Sequence, residues 1–104
     1  MQMLCTRDDL RRHPTFGVTV DGEQYLVLEY DNQIKAYRNR CPHLHIPLEW
    51  EEHAFLDKDS HLIRCSTHGA LFMPDNGECV SGPCAGDKLQ AVATRESNNT
   101  IYLL

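Results

Sequence analysis

Two short segments, each with one cysteine and one histidine, constrain this chain more than any other feature of its sequence. The first is Cys41-Pro42-His43, the second is Cys65-Ser66-Thr67-His68, and residues 44–64 lie between them. A structural zinc finger usually takes two cysteines from one turn and two histidines from a helix. Here each segment offers one thiolate and one imidazole, which predicts a metal site with two unlike metal positions.

The ligand types match those of one kind of iron–sulfur centre. In a [2Fe–2S] cluster of the Rieske kind, two thiolates hold one iron and two imidazoles hold the other. The two segments resemble the Rieske motif, in which each segment supplies one ligand to each iron. The ligands that this resemblance implies are Cys41, His43, Cys65 and His68. The alternative for the same four residues is a structural zinc site, and analysis for iron and acid-labile sulfide distinguishes the two.

The resemblance extends from about Leu4 to Leu104. Gly69 follows the second pair, and Gly82-Pro83 is similar to the proline loop that covers the cluster in Rieske proteins. The segment between the two pairs is longer than in the small Rieske ferredoxins of aromatic-ring dioxygenases, and His45 stands where many relatives carry glycine. For His45 there are two interpretations, donation toward the cluster region or a place in a solvent-exposed loop, and we favour the second.

Strand signals outnumber helix signals along the chain. Asp21-Gly22 lies between residues 16–20 and 24–30, and a second turn at Asp31-Asn32 leads into residues 33–38. The apolar alternation and the turn residues predict a three-stranded meander that delivers the chain to the first metal-binding segment.

The two ends of the chain add a hairpin and a short helix. Strands are predicted at residues 89–95 and 100–104, joined through Ser97-Asn98-Asn99, and they close the sheet against the early strands. The predicted helix spans residues 6–12, where a threonine stands three residues before an aspartate as in a capping box, and His13-Pro14 ends it.

These elements predict an all-β fold. It consists of an antiparallel β sandwich or barrel base with an inserted, loop-rich, cluster-binding subdomain at about residues 40–86. At 104 residues, of which 41% are hydrophobic and 24% charged, the chain supports a modest core. We therefore expect a single domain of residues 1–104, with no room for a second catalytic domain.

Charge and hydropathy narrow the partners. A formal net charge of −5 argues against nucleic acid as a partner and favours a basic docking surface on a protein partner. No segment approaches the roughly 18 apolar residues that cross a bilayer, and the first residues show no basic region followed by an apolar run. We expect a monomer in the cytoplasm, with no membrane partner and with its other thiols reduced.

Other conspicuous side chains are expected to be structural. The cysteines outside the ligand set are expected to be small buried or half-buried residues: Cys5, Cys79 and Cys84. Cys79 and Cys84 could form a disulfide on oxidation. The histidines expected at the surface are His13, His53 and His61. Trp50 is expected to anchor a long loop by packing.

Residues beside the ligands predict a low reduction potential. High-potential Rieske proteins of respiratory cytochrome complexes place a serine and a tyrosine after the second histidine, where their hydroxyls donate to sulfur, and they join the ligand loops with a disulfide. The residues at these four places here are Ala70, Phe72, Ile46 and Thr67. The resemblance therefore implies a midpoint potential near or below about −50 mV, within a family range of roughly −150 to +300 mV. The backbone amides then expected to donate to sulfur are those around Leu44, His45, Thr67 and Gly69.

The sequence lacks a nucleotide-binding glycine fingerprint, and a chain of this length leaves no space for an ordinary substrate pocket. The resemblance thus implies a ferredoxin that takes one electron from a flavin reductase and passes it to an oxygenase or another terminal oxidoreductase. Such a protein catalyses no reaction by itself. Its docking surface is expected around the two histidines, rimmed by Leu44, Ile46, Pro47, Leu71 and Pro83. Two alternatives stay open, an electron-transfer subunit of a larger oxidoreductase such as a nitrite-reductase-type assembly, and a cluster-based redox sensor.

Overall fold

The computed structural model describes residues 2–42, 46–48, 53–57, 60–67, 69–83 and 86–104. These residues form short strands, turns and one six-residue helix. In chain order the elements are β1 (Gln2–Thr6), α1 (Arg7–Arg12), β2 (Thr15–Val20), β3 (Glu23–Tyr30), β4 (Gln33–Arg38), β5 (Ile63–Arg64), β6 (Leu71–Phe72), β7 (Cys79–Ser81), β8 (Thr94–Ser97) and β9 (Thr100–Leu103). No helix within the described ranges has the length and apolar character needed to cross a bilayer.

The strands form three antiparallel sheets of three strands each. Their strand orders are β1-β9-β8, β2-β3-β4 and β5-β6-β7. The predicted all-β antiparallel fold is therefore confirmed. The third sheet is the smallest, and all of its strands lie between residues 63 and 81. In the sequence, β5 and β6 flank the second cysteine and histidine pair.

The middle strand, β3, shows why its sheet lies between two layers. Four consecutive residues of β3 are buried, whereas a strand with one solvated face buries only alternate residues. Tyr25 and Val27 belong to a core shared with β1, α1 and β9. Leu26 and Leu28 belong to a second core, which contains Cys41. The sheet β2-β3-β4 thus supports the metal-binding segments on one face and the terminal strands on the other.

Three two-residue turns connect the hairpins of the two larger sheets. Two of them have the predicted residues, and the third is one residue shorter than predicted because Ser97 belongs to β8. All six turn residues have φ between +50° and +80°. The turns are Asp21-Gly22, Asp31-Asn32 and Asn98-Asn99. Asparagine, aspartate and glycine tolerate this left-handed conformation best, and the resulting turn has the twist that a tight hairpin needs.

The predicted helix is confirmed, with Thr6 as its N-cap. The Asp9 N–H donates to Thr6 Oγ1 at 3.1 Å, and the Thr6 N–H donates to Asp9 Oδ2 at 2.9 Å. The backbone hydrogen bond from Thr6 is the largest cause that lowers the pKa of the Asp9 carboxyl. These reciprocal bonds satisfy amides at the start of a helix that is otherwise too short to be stable alone.

Arg7 joins the two larger sheets. Its guanidinium donates to both carboxylate oxygens of Glu96 on β8, each at 2.7 Å, and also to Glu29 on β3. The hydrogen bond from Arg7 is the largest cause that lowers the pKa of the Glu96 carboxyl. Arg7 therefore fixes the first turn of α1 to one strand of each sheet.

The strand predicted at residues 89–95 is wrong for most of its length. Ala91 forms only an isolated bridge to Tyr37, and β8 begins near the end of the predicted range. The Leu89 N–H donates to the Gly77 carbonyl at 2.8 Å, and the Leu89 side chain is buried in the core beneath the metal-binding segments. The segment is a crossing between two sheets, and its apolar residues pack without continuous strand pairing.

Strand β1 is missing from the sequence-based prediction. It pairs with β9, and its register shifts between Met3 and Cys5. The C-terminal hairpin therefore closes against β1 and not against the meander. A five-residue segment with this irregularity shows no strict alternation, and only its partner β9 makes it a strand.

Candidate metal centre

The second metal-binding segment is the turn of a small hairpin between β5 and β6. The Cys65 N–H donates to the Ala70 carbonyl at 2.9 Å, and the Gly69 N–H donates to the Cys65 carbonyl at 2.8 Å. Gly69 has φ +71°, which glycine adopts without the strain that a Cβ would cause. The local sequence thus folds into a tight loop that begins at a cysteine.

The backbone of Cys41 has a hydrogen bond of the same span. The Cys41 N–H donates to the Ile46 carbonyl at 2.8 Å. In both loops the cysteine amide is therefore bonded to the carbonyl five residues further along the chain. The matching closure places Cys41 and Cys65 at equivalent positions, which suits two residues that would bind one metal ion together.

One expected hydrogen bond is wrong. The Gly69 amide, expected to donate to sulfur, donates to the Cys65 carbonyl instead, because the tight turn needs this bond to close. Of the other amides expected to donate to sulfur, those of Leu44 and His45 lie outside the described residues.

A chain of hydrogen bonds connects the two loops to each other and to β3. The Asn39 N–H donates to the Gln24 carbonyl at 2.9 Å, and Asn39 Oδ1 accepts from the Leu48 N–H at 2.7 Å. The Leu48 carbonyl in turn accepts from the Ser66 N–H at 2.8 Å. Ser66 directly follows Cys65, so the position of the second loop is set by the backbone of the first.

The surroundings of the two cysteines fit an iron–sulfur cluster. Cys41 and Cys65 are both 0% exposed, and neither is in a disulfide. Ala70 and Phe72 are equally buried and belong to the same hydrophobic core. Two thiols that begin adjacent loops at the edge of an apolar core are a suitable donor pair for one iron, because a thiolate in such a place needs a metal to balance its charge.

The two histidines of the pairs, His43 and His68, lie outside the described residues, as do His45, Trp50 and Cys84. Within the described ranges, no three side chains of the histidine, cysteine, aspartate and glutamate types are grouped closely enough to hold a metal ion. Of the predicted ligands, the structure describes Cys41 and Cys65, and it places both in the same hydrophobic core.

The segment that resembles the proline loop packs directly on the second metal-binding loop. A Cβ placed on Gly82 would lie 2.8 Å from the Ala70 Cα and 3.1 Å from the Ala70 Cβ. Gly82 also has φ +100°. Only glycine allows the backbone of this segment to come so close to the loop that begins at Cys65.

The remaining cysteines of the described part have the predicted packing. Cys5 and Cys79 are buried. Burial is the main cause that raises the pKa of the Cys5 thiol to about 12. The Cys79 Sγ donates to the Ser81 carbonyl at 3.3 Å. Both thiols behave as small core residues.

His53 is not the surface residue that the sequence predicted. It is half-buried, its ring stacks on Phe16 with centroids 4.1 Å apart, and its Nδ1 accepts from the Gly17 N–H at 3.0 Å. Its carbonyl accepts from the Thr15 hydroxyl at 2.8 Å. His13 and His61 are exposed as predicted. His53 therefore anchors the segment between the two metal-binding loops to β2.

Asn39 is the polar residue that positions the first loop, and its role was not predicted from the sequence. It is 6% exposed, and asparagine is seldom so buried unless its amide has partners. A buried polar residue is difficult to recognise in sequence, but its place between the end of β4 and Cys41 was a usable signal.

We predict that Asn39→Ala lowers the free energy of unfolding by about 1–3 kcal/mol, because it leaves the buried Leu48 N–H without its acceptor. Cluster absorbance should also bleach faster, since the Leu48 carbonyl holds the second loop. Asn39→Asp keeps an acceptor oxygen and is the control. Chemical denaturation and the rate of bleaching in air measure the two effects. Equal stability of Asn39→Ala and the unchanged protein would contradict this role.

Comparison with known proteins agrees with the geometry. The family model described as Rieske [2Fe-2S] domain matches residues 1–95. A search of curated proteins finds no match. The fold is shared with the ferredoxin of carbazole 1,9a-dioxygenase from Nocardioides aromaticivorans IC177, at 21% identity and TM-score 0.74, over 99% of this chain and 94% of that one.

Two further solved structures share the fold. The ferredoxin of Sphingomonas yanoikuyae B1 matches at 18% identity and TM-score 0.75, over 97% of this chain and 94% of that one. The cyanobacterial plasma membrane Rieske protein of Synechocystis PCC 6803 matches at 24% identity and TM-score 0.76, over 100% and 99%. Since the family model covers most of the sequence, this chain belongs to the Rieske [2Fe-2S] domain family, which binds a [2Fe–2S] cluster.

Proposed function

We propose that this protein carries single electrons between larger redox proteins and catalyses no reaction alone. When bound, the cluster supplies one-electron redox chemistry. The observation that carries the proposal is the pair of fully buried cysteines at equivalent positions of two hydrogen-bonded loops. The similarity in size to ferredoxins supports it, because the fold matches 94% of the length of two of them.

The proposed ligands are divided between the two irons. Cys41 and Cys65 hold one iron, and His43 and His68 hold the other. Pro42 fits between two ligands of the first loop because it has no N–H that would need a partner there. The core around the cysteines excludes water from the thiolates. In this proposal the iron held by the histidines is the one that exchanges electrons with a partner.

The proposed partners are a flavin reductase as electron donor and an oxygenase or another terminal oxidoreductase as acceptor. A structure of the same fold, at 23% identity and TM-score 0.75, is a complex of reduced oxygenase and oxidized ferredoxin in carbazole 1,9a-dioxygenase. On the expected docking rim, Pro47 and Pro83 are exposed and Ile46 and Leu71 are half-buried, while Leu44 lies outside the described residues. A small rim of this kind suits brief contacts between diffusing proteins. We also propose that the protein is a monomer and that it works in the cytoplasm.

A second part of the proposal is a low reduction potential. Hydrogen bonds to sulfur stabilise the reduced, more negative cluster. Ala70 and Phe72 have no hydroxyl to donate, and both are fully buried. We predict a midpoint potential near or below about −50 mV. A redox titration measures it, and a midpoint above about +150 mV, inside the same family range, would contradict the prediction.

The ligand assignment is tested by electron paramagnetic resonance of the reduced protein. Mixed imidazole and thiolate ligation should give a lower average g value than an all-cysteine [2Fe–2S] ferredoxin. His43→Cys or His68→Cys should change this signature, whereas His45→Ala, the matched control in the same segment, should leave it nearly intact. Loss of the signal in His45→Ala would show that the assignment is wrong.

A further inference from the structure

A cationic cleft lies beside the first metal-binding loop. It has a volume of about 180 Å³ and is lined by Arg38, Arg40, Pro42, Lys88 and Gln90. Among the described residues that line it there is no carboxylate. This local charge is opposite to the formal net charge of −5 for the whole chain.

The two exposed cations of the cleft have no ion-pair partner within the described ranges. Arg40 and Lys88 are both exposed and form no salt bridge there. Most other arginines differ in this respect, since Arg7, Arg11 and Arg12 are all paired with carboxylates. Pairing screens these arginines from an approaching molecule, whereas Arg40 and Lys88 have no such partner within the described ranges.

Arg38 is the third cation that lines the cleft. Its Nη1 lies 3.0 Å from Glu23 Oε2. Its Nε is buried and has no hydrogen-bond partner among the described residues. Arg38 therefore contributes charge at the wall of the cleft, while Arg40 and Lys88 are its exposed cations.

The backbone fixes the cations relative to the metal-binding loop. The Arg38 N–H donates to the Gln90 carbonyl at 2.9 Å, which joins the two chain segments that line the cleft. Arg40 and Pro42 flank Cys41 in the sequence. The cleft is therefore held at a constant position next to a proposed cluster ligand.

Carboxylates limit the extent of this cationic surface. Glu78 and Asp87 line a wider opening of about 570 Å³, which shares Pro42 and Lys88 with the cleft. The cationic area is thus small and sharply bounded. A cleft of this size admits one carboxylate side chain and not a whole peptide segment, so it fits a single anchor in a larger contact.

We propose that the cleft formed by Arg38, Arg40 and Lys88 binds a carboxylate side chain on the surface of a redox partner protein and so orients that partner beside the metal-binding loops. This inference rests on the proposed electron-carrier function. Net charge alone favours a basic partner surface, but at an ionic strength of about 0.1 M charges farther than about 10 Å from the contact are largely screened. The charges at the contact then decide which partner surface is accepted.

The first test uses small oxidants of opposite charge with the reduced holoprotein. One electron passes from the protein to ferricyanide, a trivalent anion that becomes ferrocyanide, or to tris(phenanthroline)cobalt(III), a trivalent cation that becomes the divalent complex. The Arg40→Gln/Lys88→Gln variant is compared with Arg11→Gln/Arg95→Gln, which removes the same net charge at exposed positions outside the cleft. At about 0.1 M ionic strength we expect the cleft variant to be about three- to tenfold slower with ferricyanide than the control variant.

The cobalt complex should show the opposite change, and both differences should vanish at high salt. Equal rates in the two variants with ferricyanide would overturn the proposal. If neither oxidant takes an electron from the dithionite-treated protein, the proposed carrier function is wrong. The binding experiment below then tests separately whether the cleft binds carboxylates.

The second test measures binding without electron transfer. Fluorescence anisotropy of a labelled oligoglutamate peptide is followed with the oxidised holoprotein and with each double variant. Binding that is weakened about three- to tenfold in the cleft variant alone supports the proposal. Binding of citrate without any binding of the peptide would identify a small-anion site and overturn it, as would equal weakening in the two variants.

Discussion

We expect that replacing Cys65 with serine removes most of the bound iron and acid-labile sulfide, whereas the same replacement at Cys79 leaves both in place. The thiolate is the metal ligand, and a serine hydroxyl does not ionise near neutral pH to replace it. Even residues that only support a ligand change metal affinity by about 10–100-fold, so loss of a ligand should cost at least as much. Cys41→Ser should behave as Cys65→Ser.

Cys79 is a closely matched control for this experiment. It is 3% exposed, against 0% for Cys65, and both belong to the same hydrophobic core. Serine at position 79 retains a donor for the Ser81 carbonyl, which accepts from the Cys79 Sγ at 3.3 Å. A difference between the two variants therefore reports metal binding and not the cost of placing a hydroxyl in the core. Full iron and sulfide content in Cys65→Ser, or their loss in Cys79→Ser, would contradict the ligand set.

The parts of the fold that depend on neighbouring residues were predictable from the sequence. The turn at Asp21-Gly22 needs two residues that tolerate positive φ, and the sequence contains them. The helix cap needs Thr6 and Asp9 at fixed spacing, and it forms as expected. Such features carry their physical cause within a few residues, so their signal survives in the sequence alone.

The parts that depend on distant residues were not predictable in the same way. Residues 89–95 have the alternation of a strand, but their backbone partners lie in other segments, such as the Gly77 carbonyl that binds the Leu89 N–H. His53 looks like a loop residue until Phe16 and Gly17 are placed beside it. The cysteine and histidine pairs are visible in the sequence because ligand chemistry requires particular residue types at short spacing, and the ligand set itself stays a prediction.

The role of Asn39 in positioning the loops does not follow from the identity of the metal ligands. The sequence indicates which residues would bind metal, but not which residues hold their loops in register. That role belongs to Asn39 and the Leu48 backbone, through hydrogen bonds of 2.7 and 2.8 Å that end at Ser66. The same kind of long-range packing makes Gly82 important. Gly82 follows β7, whereas Ala70, the residue that its backbone approaches, precedes β6.

Gly82→Ala should be strongly destabilising because the new Cβ has no room. It would lie 2.8 Å from the Ala70 Cα and 3.3 Å from the Ala70 N, both backbone atoms that cannot rotate away. Strain from a Cβ at φ +100° costs about 1–2 kcal/mol, and the overpacking adds about 1–3 kcal/mol. The loop that begins at Cys65 must then shift, so we expect faster bleaching of cluster absorbance as well.

Gly86→Ala separates the two causes. Gly86 has φ +98°, nearly the value at Gly82, yet a Cβ placed there would meet no atom of the described residues within 4 Å. It therefore carries the backbone strain without the clash. We expect Gly86→Ala to lose about 1–2 kcal/mol and to keep its cluster, while Gly82→Ala loses about 2–5 kcal/mol. Since about 1 kcal/mol shifts the melting temperature of a domain of this size by roughly 4–8 °C, thermal unfolding followed at the cluster absorbance resolves the difference. Similar melting temperatures and bleaching rates for the two variants would show that Ala70 yields to the added methyl group, and that the contact between the Gly82 segment and the second metal-binding loop does not hold the site together.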